Sequence, residues 1–171
     1  MKKRIAVALV LLIGSASAAL AQDAGTMTFA AASKSKFINL PSLPECLTVA
    51  VQRGDPSKGP SVLLLKFKAG CIVPWHWHTA AENLMVVSGT GKAEMKDGQP
   101  LTVHPGDYVY LPAKSIHQFA AVSAVTMFDL PDGAFDIHYV DNAGKEIPFS
   151  DAIKRIMKVK PAAGPTTAVP Q

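Results

Sequence analysis

Short strand signals separated by turns fill residues 45–140 and restrict what this chain can fold into. Predicted strands lie at 45–51, 62–67, 83–88, 92–96, 101–104, 108–111, 125–130 and 135–140. Asp97-Gly98 separates two of them, and this dipeptide is a strong hairpin signal. Closely spaced strands with glycine and proline turns and little helix are typical of a sandwich or barrel, so the sequence predicts an all-β fold. One short helix is predicted after the strands, from about Ser150 as its N-cap to Lys158.

A cluster of histidines follows the second predicted strand. His76 and His78 are two residues apart, so in an extended strand both side chains point to one face while Trp77 points to the other. Glu82 has the same parity and joins them if the strand continues or turns gently. Two imidazoles and a carboxylate on one face form a metal half-site of mixed nitrogen and oxygen character. The alternative is that these histidines only make hydrogen bonds in a polar strand.

Two stretches of the chain resemble the conserved motifs of the cupin superfamily. The first has the pattern G-x5-H-x-H-x3-E-x6-G, and the second resembles G-x5-P-x-G-x2-H-x3-N. The matching residues are Gly70, His76, His78, Glu82 and Gly89 in the first, and Gly106, Pro112 and His117 in the second. The second departs at Lys114, where the pattern has glycine, and at Ala121, where it has asparagine. The resemblance implies a double-stranded β-helix, or jelly-roll barrel, with the site inside it.

The resemblance also implies a metal site formed by His76, His78, Glu82 and His117. Four protein ligands on an octahedral ion leave two positions open, as a catalytic site requires. The expected pocket residues share parity with these ligands or face them, and each of them is also a plausible core residue. They are Leu84, Val86, Phe119 and Met127. We expect His104 to lie in a turn and His138 to face outward, so neither is assigned to the metal.

Three classes of function follow from this interpretation. The first is a metal-dependent oxidoreductase of dioxygenase type, acting on a small enolisable or aromatic substrate in an apolar pocket. The second is a metal- or small-molecule-binding protein without turnover, similar to the zinc-binding cupin domains of some anti-sigma factors. The third is a storage cupin, a group that commonly lacks the ligands. The intact and open ligand set favours the first class over the second.

The two ends of the chain have compositions unlike the rest. Residues 1–21 have a basic start, an apolar core and an A-x-A site, which predicts a signal peptide and export to the periplasm or outside the cell. Its removal lowers the formal charge from +4 to +1, because residues 2–4 are basic. We expect a flexible lead-in at 22–36 with an edge strand at 27–30, a single domain at 37–159, and a disordered tail at 160–171. No basic run interleaved with aromatics indicates nucleic acid, and no membrane contact is expected after signal removal.

Export of the chain also affects which metal it binds and whether its cysteines are oxidised, and a separate argument from the strands predicts its association state. A chain that crosses the membrane unfolded loads its metal outside, where affinity favours copper or zinc, whereas cytoplasmic expression could give iron, manganese or nickel. Cys46 and Cys71 lie opposite one another if the strands on either side of 54–60 form a hairpin, which predicts a disulfide; two free thiols are the alternative. The apolar strand 62–67 would be costly at an open sheet edge, so we predict a homodimer.

Overall fold

The computed structural model describes residues 27–158, and ten strands in this part of the chain form two five-stranded antiparallel sheets. The strands are β1 (Leu47–Gly54), β2 (Ser61–Phe67), β3 (Ile72–Trp77), β4 (Glu82–Ser88), β5 (Gly91–Met95), β6 (Leu101–Val103), β7 (Tyr108–Leu111), β8 (His117–Ala121), β9 (Val125–Pro131) and β10 (His138–Tyr139). One sheet has the order β1-β2-β9-β4-β7 and the other β10-β3-β8-β5-β6. A single helix, α1 (Phe149–Lys158), follows them and packs against β3. The prediction of an all-β jelly roll with one short C-terminal helix is confirmed.

Alternation along the strands places the apolar side chains between the sheets. In β9 every second residue is buried, from Val125 through Met127 to Asp129, and the residues between them are partly exposed. This period of two is what a strand with one face on the core requires. The core therefore fills the barrel, and the inward positions near one end of β9 and β4 carry polar side chains instead of apolar ones.

The hairpin of β1 and β2 brings the two cysteines together. Leu47 pairs with Phe67, so the residues just outside this pair lie close to one another. Cys46 and Cys71 are joined by a disulfide, with their Cα atoms 5.5 Å apart. The bridge ties the segment before β1 to the start of β3. A second hairpin joins β5 and β6 through Asp97-Gly98, where Asp97 adopts a φ of 63°.

Several expectations about local structure are wrong. The apolar run 62–67 is no open edge, because β2 pairs with β1 on one side and with β9 on the other. Residues 27–30 form no strand, and Met27 and Phe29 are exposed. Helix α1 begins at Phe149, so Ser150 lies inside its first turn and is not the N-cap. Only His138–Tyr139 of the predicted strand 135–140 pairs in a sheet.

The predicted signal peptide at 1–21 and the predicted tail at 160–171 lie outside the described residues. Within residues 27–158, no helix has the length and apolar character needed to cross a membrane.

Candidate metal centre

Three histidines converge inside the barrel. His76 lies on β3 directly opposite His117 on β8, and His78 follows immediately after β3. A register irregularity between Val73 and His76 changes the alternation of side chains along β3. As a result, Val73 and His76 are both buried inside the barrel, although an odd number of positions separates them. One ring nitrogen of each histidine lies within 4.8 Å of the other two. The three rings are buried, with exposed fractions of 4–5%.

Each imidazole is held by the main chain through its Nδ1 atom. His76 donates from Nδ1 to the carbonyl oxygen of Pro74 at 2.6 Å, and His117 donates to that of Ser115 at 2.9 Å. His78 donates to the carbonyl oxygen of Asp136. A carbonyl oxygen only accepts, so Nδ1 carries the proton and the Nε2 lone pair remains available in all three rings. Such bonds orient metal-binding histidines and fix their tautomer.

Glu82 reaches the histidines from the opposite sheet. It is the first residue of β4, so the chain turns a corner after His78 and does not continue the same strand. Its Oε2 lies 3.2 Å from Nε2 of His78 and 3.6 Å from Nε2 of His117. Glu82 is 4% exposed and borders the histidine triad.

Burial keeps the histidines of this cluster neutral. It lowers the pKa of His78 to about 4 and the pKa of His76 well below its usual value, and it also lowers the pKa of His117. Burial, followed by the neighbouring charge of Asp129, raises the pKa of Glu82 well above its usual value. In the metal-free protein, the contacts between Glu82 and the histidines are therefore contacts between neutral groups and not ion pairs. Neutral imidazoles are the form that binds a metal, so protons compete weakly at neutral pH.

Asp129 is a member of this cluster that the sequence analysis missed. It lies on β9, is 2% exposed, and its carboxyl group is a close neighbour of that of Glu82. Burial raises the pKa of its carboxyl group. The signal was present in the sequence, because Asp129 has the same strand parity as Met127, which was expected to face the site. Acidic residues are rarely buried, so an aspartate at an inward position of a strand indicates a candidate functional residue.

A cavity of about 60 Å³ opens beside these residues. Five of the six buried polar side chains in residues 27–158 line it, and Ser61 is the exception. Most of the remaining wall is apolar, and it includes Leu84, Phe119 and Met127. Val86 was also expected there, but it is buried in the core and does not line the cavity.

The two remaining described histidines lie elsewhere. His104 is exposed beyond the end of β6. His138 stacks on Trp77 with ring centroids 3.9 Å apart, and its Nε2 lies 3.2 Å from Asp136 Oδ2. Trp77 therefore points away from the histidine triad, as its parity predicts. Neither histidine belongs to the convergent group.

The donors of the cluster suit a divalent transition metal. Imidazole nitrogen is accepted by zinc, copper, iron and nickel, and one added carboxylate gives the mixed set found in many non-haem sites. The three converging Nε2 atoms are oriented before any ion binds, and a carboxylate oxygen lies within 3.6 Å of two of them. The cluster of His76, His78 and His117 therefore suggests a divalent metal site, with Glu82 beside it.

The chain therefore folds as a two-sheet jelly roll with a candidate metal site inside its barrel. Residues 63–131 match the family model of the cupin domain. This part of the chain is a domain of the cupin superfamily, and the predicted membership of that superfamily is confirmed.

Solved structures with this fold share little sequence with the chain. The polyketide cyclase RemF from Streptomyces resistomycificus superposes with a TM-score of 0.60 at 15% identity, covering 68% of this chain and 87% of RemF. An RmlC-like cupin from Ralstonia eutropha gives 0.56 at 20% identity, covering 75% and 83% of the two chains. These likenesses show the fold.

A relative found by sequence is a DNA damage-repair/toleration protein of Arabidopsis thaliana. It is 29% identical over 79 residues, which cover 46% of this chain. The match spans 26% of the plant protein, so most of that protein has no counterpart in the alignment.

Proposed function

We propose that this chain is an exported mononuclear-metal cupin and an oxygenase-type enzyme acting on a small enolisable substrate. The observation that carries the proposal is the convergence of three oriented Nε2 atoms and Glu82 on one side of a largely apolar cavity. His76, His78, Glu82 and His117 are the proposed ligands. A bound divalent ion supplies a Lewis acid for an enol or carbonyl oxygen and, if redox-active, a partner for oxygen.

The protein supplies binding, orientation and exclusion of water. Main-chain hydrogen bonds hold the three imidazoles, and the apolar wall of Leu84, Phe119 and Met127 covers the apolar part of a substrate.

The size of the cavity decides between the two substrate classes expected from the sequence. A dry cavity of about 150 Å³ accommodates benzene, and the cavity here, about 60 Å³, is less than half of that. A small aliphatic enolisable molecule is therefore favoured over an aromatic one.

A metal-binding protein without turnover is the second candidate. The same small cavity favours it, because the residues around the ligands leave little space for both a substrate and oxygen. Oxygen uptake separates the two functions. Purified, metal-loaded protein should consume oxygen with a small aliphatic enolisable carbonyl compound that has fewer non-hydrogen atoms than benzene, and not with catechols or flavonols. Stoichiometric metal with no uptake across a panel of small enolisable compounds would favour the binding protein.

The ligand assignment is tested by substitution. His76→Ala or His117→Ala should lower the metal content sharply, and Glu82→Gln should lower it less, because a neutral amide oxygen still coordinates weakly. His104→Ala and His138→Ala are matched controls outside the cluster and should keep the wild-type metal content. Elemental analysis measures all five variants. Full occupancy in a His76/His117 double variant contradicts the assignment.

Export and metal identity form part of the same proposal. The sequence of residues 1–21 and the Cys46–Cys71 bridge both fit an oxidising compartment. Metal loading there favours copper or zinc over iron and manganese. Elemental analysis of protein from the exported fraction should find one of these two metals, and stoichiometric iron or manganese would contradict the argument.

A homodimer also remains part of the proposal, although not through β2. β7 is an edge strand with the half-exposed residues Tyr108 and Tyr110, at 58% and 55%, and it is the edge we propose for pairing. Sedimentation at micromolar concentration should give a dimer mass, and a monomer would rule the pairing out.

A further inference from the structure

Asp129 has a buried carboxyl group that is not among the proposed metal ligands. It is 2% exposed, lies on β9 and lines the cavity. In the described part of the chain, no group donates a hydrogen bond to its Oδ1. Buried polar atoms without partners are rare in folded proteins, so this one requires an explanation.

The other polar groups around the cavity already have partners. The three Nδ1 atoms donate to carbonyl oxygens, and the Nε2 atoms face the proposed metal. Gln118 donates from Nε2 to Glu94 Oε2 at 2.7 Å. With the metal ligands assigned, Asp129 Oδ1 is the one fully buried side-chain oxygen or nitrogen of the described lining residues that lacks a hydrogen-bond partner. The arrangement leaves one acceptor for a molecule inside the cavity.

The position of Asp129 defines where on that molecule a donor must be. Asp129 contacts Glu82, and Glu82 lies within 3.6 Å of both His78 and His117. The acceptor is therefore one carboxyl group away from the ligands, so the donor must be adjacent to the oxygen that meets the metal. The lining residues include two carboxyl groups and, within residues 27–158, no lysine or arginine, so an anion is disfavoured.

We infer that Asp129 is the specificity-determining residue of the cavity, and that its unpartnered Oδ1 accepts a hydrogen bond from the hydroxyl of a small, neutral α-hydroxycarbonyl compound. The neighbouring oxygen of the same compound faces the metal ligands. The inference rests on the proposed metal site and specifies its substrate class. A compound without the hydroxyl leaves the buried Oδ1 of Asp129 unpaired, and an unpaired buried polar atom lowers the affinity for that compound.

The test compares two probes on the full mature chain loaded with cobalt, whose visible absorption reports ligands near the ion. Hydroxyacetone carries the hydroxyl, whereas butanone has a methyl group in its place and is of similar size. The wild-type protein should bind hydroxyacetone at least about tenfold more tightly, the discrimination expected for one such hydrogen bond. Asp129→Leu should reduce the ratio to near one with cobalt stoichiometry unchanged. Asp129→Asn, whose amide oxygen still accepts, should keep part of the preference.

Ser61→Ala is the matched control. Ser61 Oγ is the other buried side-chain atom without a partner among the described residues, and it lies outside the cavity. This variant should keep the wild-type ratio. If the leucine variant does not fold by near-ultraviolet circular dichroism, Asp129→Ala takes its place.

The possible failures are distinguishable. A wild-type protein that binds cobalt but treats the probes alike, or responds to neither, overturns the role of Asp129 and leaves the metal site standing. Loss of cobalt in Asp129→Leu would make Asp129 a ligand and also overturn the inference. A wild-type protein that does not bind cobalt overturns the metal site itself, and the inference with it.

Discussion

Breaking the Cys46–Cys71 bridge should destabilise the protein by a predictable amount. The two residues are 25 positions apart, and the bridge is present in the folded chain. In the chain-entropy model, closing a loop of this length lowers the entropy of the unfolded chain enough to contribute about 3.5 kcal/mol at 25 °C. For a domain of this size, that loss corresponds to a Tm lower by roughly 7–14 °C.

Reduction is the cleanest perturbation, because it breaks only the bond between the two sulfur atoms. Each sulfur gains a hydrogen atom, and both side chains otherwise stay in place. Denaturant unfolding of oxidised and reduced wild-type protein gives the difference in free energy directly. Cys46→Ala/Cys71→Ala is the control variant, and reductant should not change its stability. A difference below about 1 kcal/mol in the wild-type protein would refute the reasoning, because the unfolded chain would then gain little freedom from reduction.

Two further predictions concern stability. Burial lowers the pKa of His78 from 6.5 in the unfolded chain to about 4 in the folded protein. As the pH falls, the unfolded chain therefore binds this proton first. The free energy of unfolding of the metal-free protein should decrease by about 3 kcal/mol between pH 6.5 and pH 4. Urea titrations with chelator should show a smaller loss in His78→Gln, and an equal loss would contradict the burial argument. Gly89→Ala should cost at least about 2 kcal/mol, because φ is 84° and a Cβ would lie 2.0 Å from the Ala124 carbonyl oxygen. Gly59→Ala is its control, since a Cβ there meets nothing within 4 Å, and equal stabilities of the two variants would refute the prediction.

The strands could be predicted from the sequence because their signal is local. Tyr108–Leu111 has the predicted bounds, and Asp97-Gly98 marks a hairpin that the structure contains. The neighbours of each strand could not be predicted in the same way. The apolar run 62–67 was interpreted as an edge, but β9, far along the chain, covers its second side. Pairing between distant strands depends on topology, which no local pattern records.

The candidate metal site also could be predicted only in part from the sequence. The spacing of His76 and His78 placed both on one face, because side chains in a strand alternate. The sequence left open whether Glu82 continues that strand or follows a turn, and the structure places it in the opposite sheet, at the start of β4. Lys114 stands where the motif has glycine and adopts a φ of 61°, so the turn forms despite the side chain. Asp129 was missed because its importance comes from its neighbours across the barrel and not from its position in a motif.

The three Nδ1 hydrogen bonds have a consequence for how this protein can evolve. Their acceptors are main-chain carbonyl oxygens, at Pro74, Ser115 and Asp136, and every amino acid provides such an oxygen. Mutations in the surrounding side chains therefore leave the orientation of the imidazoles intact. The walls of the cavity are therefore free to diverge while the geometry of the histidine triad is inherited unchanged.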